Sequence, residues 1–440
     1  VRPAIFLLAA ALAAQTPDPR PGRRHSTPDR MTLPRLAAAT ADVARLAAER
    51  KPAPGLAGLT DYKGIFHAHA SDSAHTGGTL EEMLADAQRA GVSFIFLGSH
   101  YRPPRDFIRE SWRGLRGGVL FVAGAEMHGF LLHPVASVMD RMEGPRAELI
   151  RAAGADGGLL FLSHVEERVD HPMDGLTGME IYNRHADALD DSVALRWLAA
   201  QITRPDSLAA VQAALRLYPD AMLAAQLDYP ELYLKKWDRE TRTRRVVGVA
   251  ANDCHHNQEF VLKAAPAGAG ALLGTIVDRD ADFRKVDAAA ALLAGVAPGA
   301  VIARLDFDPY FRSFFNVSTH AFAPELNESA IRAAVGAGHV YVAHDWMGDP
   351  RGFLFAAFAG GERAGILGDE LPFRAGLRLR AAVPLAARLR ILKDGAEWKS
   401  ATGRAIEAQA ETPGVYRLEA WLEIDGEQRP WIYANPIYLR

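Results

Sequence analysis

Gly64-Ile65-Phe66-His67-Ala68-His69 decides the reading of this chain: an apolar run that ends in two histidines one residue apart. Side chains of a strand alternate faces, so residues i and i+2 point the same way. Two imidazoles on one side of a strand end supply half of a metal site. Taken alone, a His-x-His is matched equally well by two surface histidines in a loop. A series of later strand-like segments, each ending in a similar ligand, separates the two readings. Val92–Leu97 runs into Gly98-Ser99-His100, Gly118–Ala125 into Glu126, and Leu159–Leu162 into Ser163-His164. Arg245–Ala251 runs into Asn252-Asp253-Cys254-His255.

Helical patterns lie between these segments. Thr79-Leu80-Glu81-Glu82 reads as a capping box that opens a helix running to Gly91. Further helices are predicted over 190–201, 206–217 and 229–238, with Leu131–Val138 and Met179–Tyr182 as additional strands. Alternating strands and helices predict a parallel sheet or barrel. In α/β barrels the working residues sit at the carboxyl ends of the strands. His100, Glu126, His164, Asp253 and His255 all fall there, which a random scatter of histidines would not do.

Composition narrows the function classes. The 440 residues allow about two to four domains. With 49% hydrophobic and 23% charged residues the chain is of ordinary globular type. A formal net charge of -3 gives no sign of nucleic acid or an anionic membrane as partner. The single cysteine, Cys254, excludes an internal disulfide and a thiolate-rich zinc site, so nitrogen and oxygen must hold any metal.

At the N-terminus Arg2 precedes an apolar stretch from Ala4 to Ala14, which reads as a secretory signal and implies export to the periplasm or beyond. The stretch is too short to span a bilayer, so no membrane span is expected once it is removed. Residues 15–30 are rich in Pro, Arg, Asp and Thr and read as a disordered spacer, followed by a helix over Leu33–Arg50. Ala288–Ala303, broken by Gly295, Pro298 and Gly299, reads as a core helix and a turn. Beyond residue 300, Tyr310–Val317 and Val340–Val342 are predicted as strands around a helix at Asn327–Gly336. From Gly352 onward the pattern is short alternating strands with turns at Lys393-Asp394-Gly395 and Ile424-Asp425-Gly426, which suggests a small β-sandwich. The expected organisation is a signal at 1–14, spacer and helix at 15–60, a metal-binding barrel at 61–305, a connecting α/β segment at 306–350 and a sandwich at 351–440.

Nine side chains form the candidate ligand set: His67, His69, His75, His100, Glu126, His133, His164, Asp253 and His255. Seven imidazoles and two carboxylates suit zinc, manganese or iron(II). Nine donors exceed what one ion can take, so two or three ions are implied, with Glu126 suited to bridge.

On these motifs the chain resembles the PHP (polymerase and histidinol phosphatase) family. The shared signature is a His-x-His opening, a histidine after the second strand, a glutamate, two further histidines and a closing Asp-x-His. The match covers about residues 61–260. The resemblance implies a distorted seven-stranded β/α barrel, here an α/β chain whose PHP-type barrel precedes the C-terminal β-sandwich. It implies a first metal on His67, His69, Glu126 and Asp253, a second on Glu126, His133 and His164, and a third on His75, His100 and His255. The chain departs from many relatives in having Ile65-Phe66 before His67 and Ser99 where an aspartate would orient an imidazole. Asp72 competes with His75 for one position, and the spacing favours His75.

The implied activity is metal-dependent hydrolysis of a small phosphoester, with Glu126, Asp253 and His255 carrying catalysis. Divalent ions lower the pKa of water and neutralise phosphoryl charge. Arg184, Arg102 and Asn183 are the candidate substrate contacts, since guanidinium matches phosphate bidentately. An amidohydrolase-type reaction at a C–N or C–O bond uses the same metals, and a metal-stabilised binding protein needs no reaction at all. Both remain alternatives. His128, Arg105, His171, His185, His256, His320 and His344 read more simply as structural or lining residues.

Overall fold

The opening stretch closes a nine-residue strand, β1 (Thr60–Ala68), which is buried from Lys63 onward. In the computed structural model, which describes residues 21–73, 76–190, 192–266, 270–276 and 283–440, β1 pairs in parallel with β2 (Phe94–Leu97). The helix Leu80–Arg89 makes the crossover between them. Thr79 caps that helix by accepting the Glu82 N–H at 3.1 Å. The reciprocal half of the capping box does not form, because the Glu82 carboxylate pairs with His256 at 2.7 Å.

Along the chain follow β3 (Ser99–His100), β4 (Gly114–Arg116), β5 (Val119–Val122), β6 (Ala125–Met127), β7 (Phe130–His133), β8 (Leu159–Leu162), β9 (Gly178–Asn183) and β10 (Val247–Ala251). Parallel ladders join β2 to β5, β3 to β6, β8 to β9 and β9 to β10. β10 meets β1 at a parallel bridge between Ala68 and Cys254. There the Asn252 N–H donates to the Phe66 carbonyl at 3.0 Å, and the His69 N–H to the Cys254 carbonyl at 3.0 Å. Alternate residues of these strands face one apolar cluster: Phe66, Phe96, Val122, Leu131, Phe161 and Val249. Phe66 and Phe96 stack at 4.4 Å within it. The other face, with Ile65, Ile95 and Phe121, packs on Met83 and Ala87 of the crossover helix, as the two-residue strand period requires.

Strict strand–helix alternation fails at β7. That strand is antiparallel to both β6 and β8. His128 and Gly129 turn the β6–β7 hairpin with φ of 53° and 80°, the positive values that a two-residue hairpin loop requires.

Three further expectations are corrected. Tyr310–Asn316 is a helix, not a strand. Its Tyr310 and Phe314 are four residues apart, fully buried and stacked at 5.7 Å, so helical periodicity outweighs aromatic β-propensity. Of the apolar stretch from Ala288 only Ala290–Leu293 is helical, and none of it is buried. Gly295 and Gly299 turn the chain at φ of 74° and 79°, and Val301–Asp306 continues as a strand of a separate antiparallel sheet. Finally, the described part of the expected spacer, residues 21–30, is packed: Arg23, Thr27 and Arg30 are buried. The signal at 1–14 lies outside the described residues, and no helix among them is long and apolar enough to cross a membrane.

The second edge of β1 pairs antiparallel with Ser318–Ala323, which pairs with Val340–Ala343, which pairs with Glu427–Ala434. Through that ladder the strands of 351–440 belong to the same 14-stranded sheet as β1 and β2. The longest hairpin, Arg378–Lys393 with Ala396–Gln409, turns at Asp394-Gly395, and Asp425-Gly426 turns the next pair. Both Asp-Gly dipeptides have positive φ throughout, the signature of that turn class.

Candidate metal centre

The carboxyl ends of the parallel strands converge. His67 sits on a register shift between Phe66 and Ala68 of β1 with φ of 59°. His164, past the end of β8, has φ of 47°, and so does Asp253, past the end of β10. Positive φ is uncommon for residues other than glycine and costs on the order of 1–3 kcal/mol. Three such residues around one point mark a place where side-chain direction outweighs backbone comfort. The His-x-His pair therefore does not reach the site by simple alternation along a strand; a bulge turns His67 inward. Gly98 leaves room for it, since a Cβ there would lie 2.9 Å from the His67 ring.

Glu126 is the hub. Its Oε2 lies 3.3 Å from His67 Nε2 and 3.2 Å from His100 Nε2, and its Oε1 lies 3.1 Å from His164 Nε2. The β3–β6 register sets His100 directly opposite Glu126. Asp253 Oδ1 lies 3.3 Å from both His67 Nε2 and His69 Nε2. The His69 and His255 rings stack at 4.0 Å. Among the described residues, three groups have ligand atoms within 4.8 Å of one another: His69, His100 and His255; His67, Glu126 and His164; His67, His69 and Asp253.

Behind the rings of His67, His164, His69 and His255 the Nδ1 atoms are tied down. Glu180 Oε1 holds that of His67 at 2.7 Å, Glu166 Oε1 that of His164 at 2.8 Å, and Ser73 Oγ that of His69 at 3.2 Å. The Asp253 carbonyl holds that of His255 at 3.0 Å. Such outer partners fix tautomer and ring direction in metal sites. Ser73 also accepts the His100 backbone N–H at 2.8 Å, which ties the His69 and His100 segments together.

The electrostatics match. Burial alone would depress the His67 imidazole, but Asp253, Glu126 and Glu180 raise it well above its ordinary value. His164 is pushed up to about 12 against the cost of burial by Glu126, Glu166 and Asp253. Burial and His255 hold His69 well below the ordinary value. Burial also depresses His255. Glu126 and Asp253 stay ionised, with pKa values well below the carboxylate range because the surrounding imidazoles outweigh burial. His67 Nε2, His69 Nε2 and Asp253 Oδ1 are buried and make no hydrogen bond, although they face one another. Inward-aimed imidazole nitrogens and carboxylate oxygens of this kind fit a borderline divalent cation.

Seven of the nine expected ligands are thus brought together. His75 lies outside the described residues. His133 does not join the groups. It is fully buried at the end of β7 with its ring edge-on to Phe96 at 4.9 Å, and burial keeps the imidazole uncharged by lowering its pKa to about 3. Because β7 runs antiparallel, its carboxyl end pairs with Leu159 at the start of β8, away from the site.

The expected substrate contacts divide. Arg102 is exposed. Arg184 is buried and donates to Gln258 at 2.9 Å. Asn183 is buried, reaches Glu180 at 3.3 Å and Asp253 at 3.5 Å through its amide nitrogen, and caps the following helix through the Ala186 N–H at 2.9 Å. Arg105 pairs with Asp72, and His128 is exposed at its hairpin tip.

Sequence reading missed Glu166, Ser73 and Glu180. Glu180 carried a usable signal, an acid inside the apolar run Gly178-Met179-Glu180-Ile181. His185 also lies close, its ring 5.3 Å from that of His255, and burial lowers it to about 3.

No protein-family model and no curated protein matches the chain. Among solved structures the chain is similar to a two-domain protein from Bacteroides vulgatus containing a predicted PHP-like metal-dependent phosphoesterase. The similarity covers 88% of this chain and 98% of that one, at 14% identity and a TM-score of 0.35. So distant a likeness defines neither fold nor activity, which rest on the side chains.

Proposed function

We propose that this chain is a metal-dependent hydrolase acting on a small phosphoester, its parallel and antiparallel strands closing as a distorted seven-stranded barrel around the site. The observation that carries the reading is the convergence of three ligand groups linked through His67 and His69, each of which belongs to two of them, with Glu126 reaching His67, His100 and His164. His67, His69 and Asp253 would hold one divalent ion, His67, Glu126 and His164 a second, and His69, His100 and His255 a third; His67 and His69 each belong to two groups and, with one free lone pair on Nε2, would serve one ion at a time. Zinc, manganese or iron bound there would polarise water and neutralise charge on a phosphoryl group.

The chain's own part is positioning. Glu126 and Asp253 supply fixed negative charge, while His100, 27% exposed at its side chain, faces the open side. Arg102, two residues on and exposed, would meet an anionic group of the substrate, and Asn183 and Arg184 would stiffen the wall through Glu180 and Gln258. Export, read from Ala4–Ala14, belongs to the same proposal; N-terminal sequencing of protein from an exported fraction tests it.

The test of function is elemental analysis of the purified protein, then turnover of phosphomonoesters, amides and lactones before and after chelation. Phosphomonoester turnover that disappears on chelation and returns with the metal found is the expected result. Equal turnover by the chelated protein overturns the reading, and metal-dependent turnover of amides or lactones alone moves the reaction to a C–N or C–O bond.

A further inference from the structure

We propose that Glu180 is the positioning residue of the metal centre, a single buried carboxylate that aims both His67 and His164. The inference rests on the metal-site reading above. Glu180 lies in β9, is fully buried, and has Met179 and Ile181, also fully buried, on either side. A carboxylate in such a place is costly unless hydrogen-bonded, and this one is bonded throughout. Oε1 lies 2.7 Å from His67 Nδ1, while Oε2 accepts the His164 backbone N–H at 2.8 Å and the Asn183 amide at 3.3 Å. The same Asn183 amide reaches Asp253 Oδ2 at 3.5 Å. One side chain thus touches two candidate ligands directly and a third through one neighbour.

The direction of these bonds gives Glu180 its role. Accepting from Nδ1 fixes the ring so that Nε2, which faces Glu126 and Asp253, is the nitrogen left for a cation. Accepting from the His164 N–H holds that residue in its left-handed conformation, φ 47°, which swings its ring to Glu126. The His164 ring itself is backed by the Glu166 carboxylate, whereas His69 and His255 have weaker acceptors behind them, a hydroxyl and a carbonyl. A carboxylate there raises the basicity of the ligand as well as fixing it. A buried acid that served only folding would need none of this alignment with two ligands on different strands.

The test compares wild type, Glu180→Gln and Glu180→Asp. Divalent-cation affinity is read by competition with a chromophoric chelator, ligand geometry by the visible spectrum of the cobalt(II)-loaded protein, and folding by circular dichroism of the metal-free protein. Glu180→Gln keeps the volume and one acceptor but removes the charge. It is expected to weaken cation binding roughly 10- to 100-fold, as loss of such outer partners does, and to shift the cobalt bands while the metal-free spectrum stays folded. Glu180→Asp keeps the charge one methylene short, so it folds even if the amide does not, and falls between the two in affinity. Wild-type affinity and an unchanged cobalt spectrum in either folded variant overturn the inference alone. Failure of the wild type to bind any divalent cation overturns the metal reading itself.

Discussion

Glu126 reaches three imidazoles from three different segments, so its loss is not a local matter. Glu126→Gln leaves His67, His100 and His164 facing a neutral amide and removes the one carboxylate of the group it forms with His67 and His164. Cation affinity should fall at least about 100-fold, the upper end of what outer partners alone cost, and chelator competition measures it; a drop under tenfold would show that Asp253 is the true hub. Protons offer a second handle. His67 and His164 are both raised, by Asp253 and Glu126 among others, so near neutrality they carry protons that a cation must expel. Affinity should therefore climb between pH 6 and pH 8 by up to about tenfold per pH unit for each proton released, and a flat titration profile would contradict the shared site. Most of this site is legible in the sequence, because residue type at a strand end is a local property. His133 misleads because strand direction is not local: Leu131-Leu132-His133 reads the same whichever way β7 runs. Glu180, Glu166 and Ser73 escape because they act through another side chain rather than toward the ion.

At the scale of elements, β1 works at both ends. Its carboxyl end carries His67 and His69. Near its start, Asp61 and Lys63 meet His320 of Ser318–Ala323 and Asp345, which follows Val340–Ala343. His320 bridges Asp61 at 2.7 Å and Asp345 at 3.1 Å, stacks on Tyr341 at 4.7 Å, and is fully buried. Tyr341 donates to Asp61 at 2.7 Å, Ser318 donates to Asp345, and Lys63 lies 3.7 Å from Asp345. Burial opposes the charge on His320, but Asp61 and Asp345 raise it to about 9. A folded pKa above the unfolded one stabilises fully below the unfolded value and is lost as pH rises through the folded value. The rise from 6.5 to about 9 is worth on the order of 3 kcal/mol below pH 6.5. Urea unfolding should show wild type ahead of His320→Gln by about that much at pH 6, with the gap closing toward pH 10; a gap that stays constant would mean packing, not charge, is what His320 supplies. The sequence offers no hint of this clasp, since Asp61 and His320 are far apart along the chain. It is equally silent on the Tyr310 helix, where aromatic residues favour a strand until Phe314 is seen to stack on Tyr310.

For the whole molecule the question is whether the segment that bears the site stands alone. The sequence pattern ends the barrel at residue 305, as a free-standing unit would. The packing argues otherwise. Tyr310 donates to the His69 carbonyl at 2.5 Å, directly behind a candidate ligand. Asn252, beside Asp253, donates to the Ser313 and Val317 carbonyls at 3.0 Å. The β10 backbone is finished by side chains from further on: Thr319 accepts the Ala250 N–H at 2.9 Å, and Asn435 both accepts from and donates to Gly248, at 2.8 and 2.9 Å. The N-terminal arm ties in as well, through Arg30, which reaches Glu427 at 2.8 Å and the Leu227 carbonyl at 2.9 Å. A chain cut after Pro309 loses the whole antiparallel partner of β1 and leaves buried donors on β10 unpaired, each costing roughly 1–3 kcal/mol. Against the 5–15 kcal/mol that typically separates folded from unfolded chains, a few such losses suffice. The truncated chain should lose near-ultraviolet circular dichroism and cooperative melting, and with them cation binding, whereas the full chain melts higher with metal than without. A soluble fragment that melted cooperatively and bound the cation as tightly as the full chain would mean instead that the long sheet only decorates an independent site, and the bonds from Tyr310, Thr319 and Asn435 would then be consequences of docking rather than conditions for the site to form.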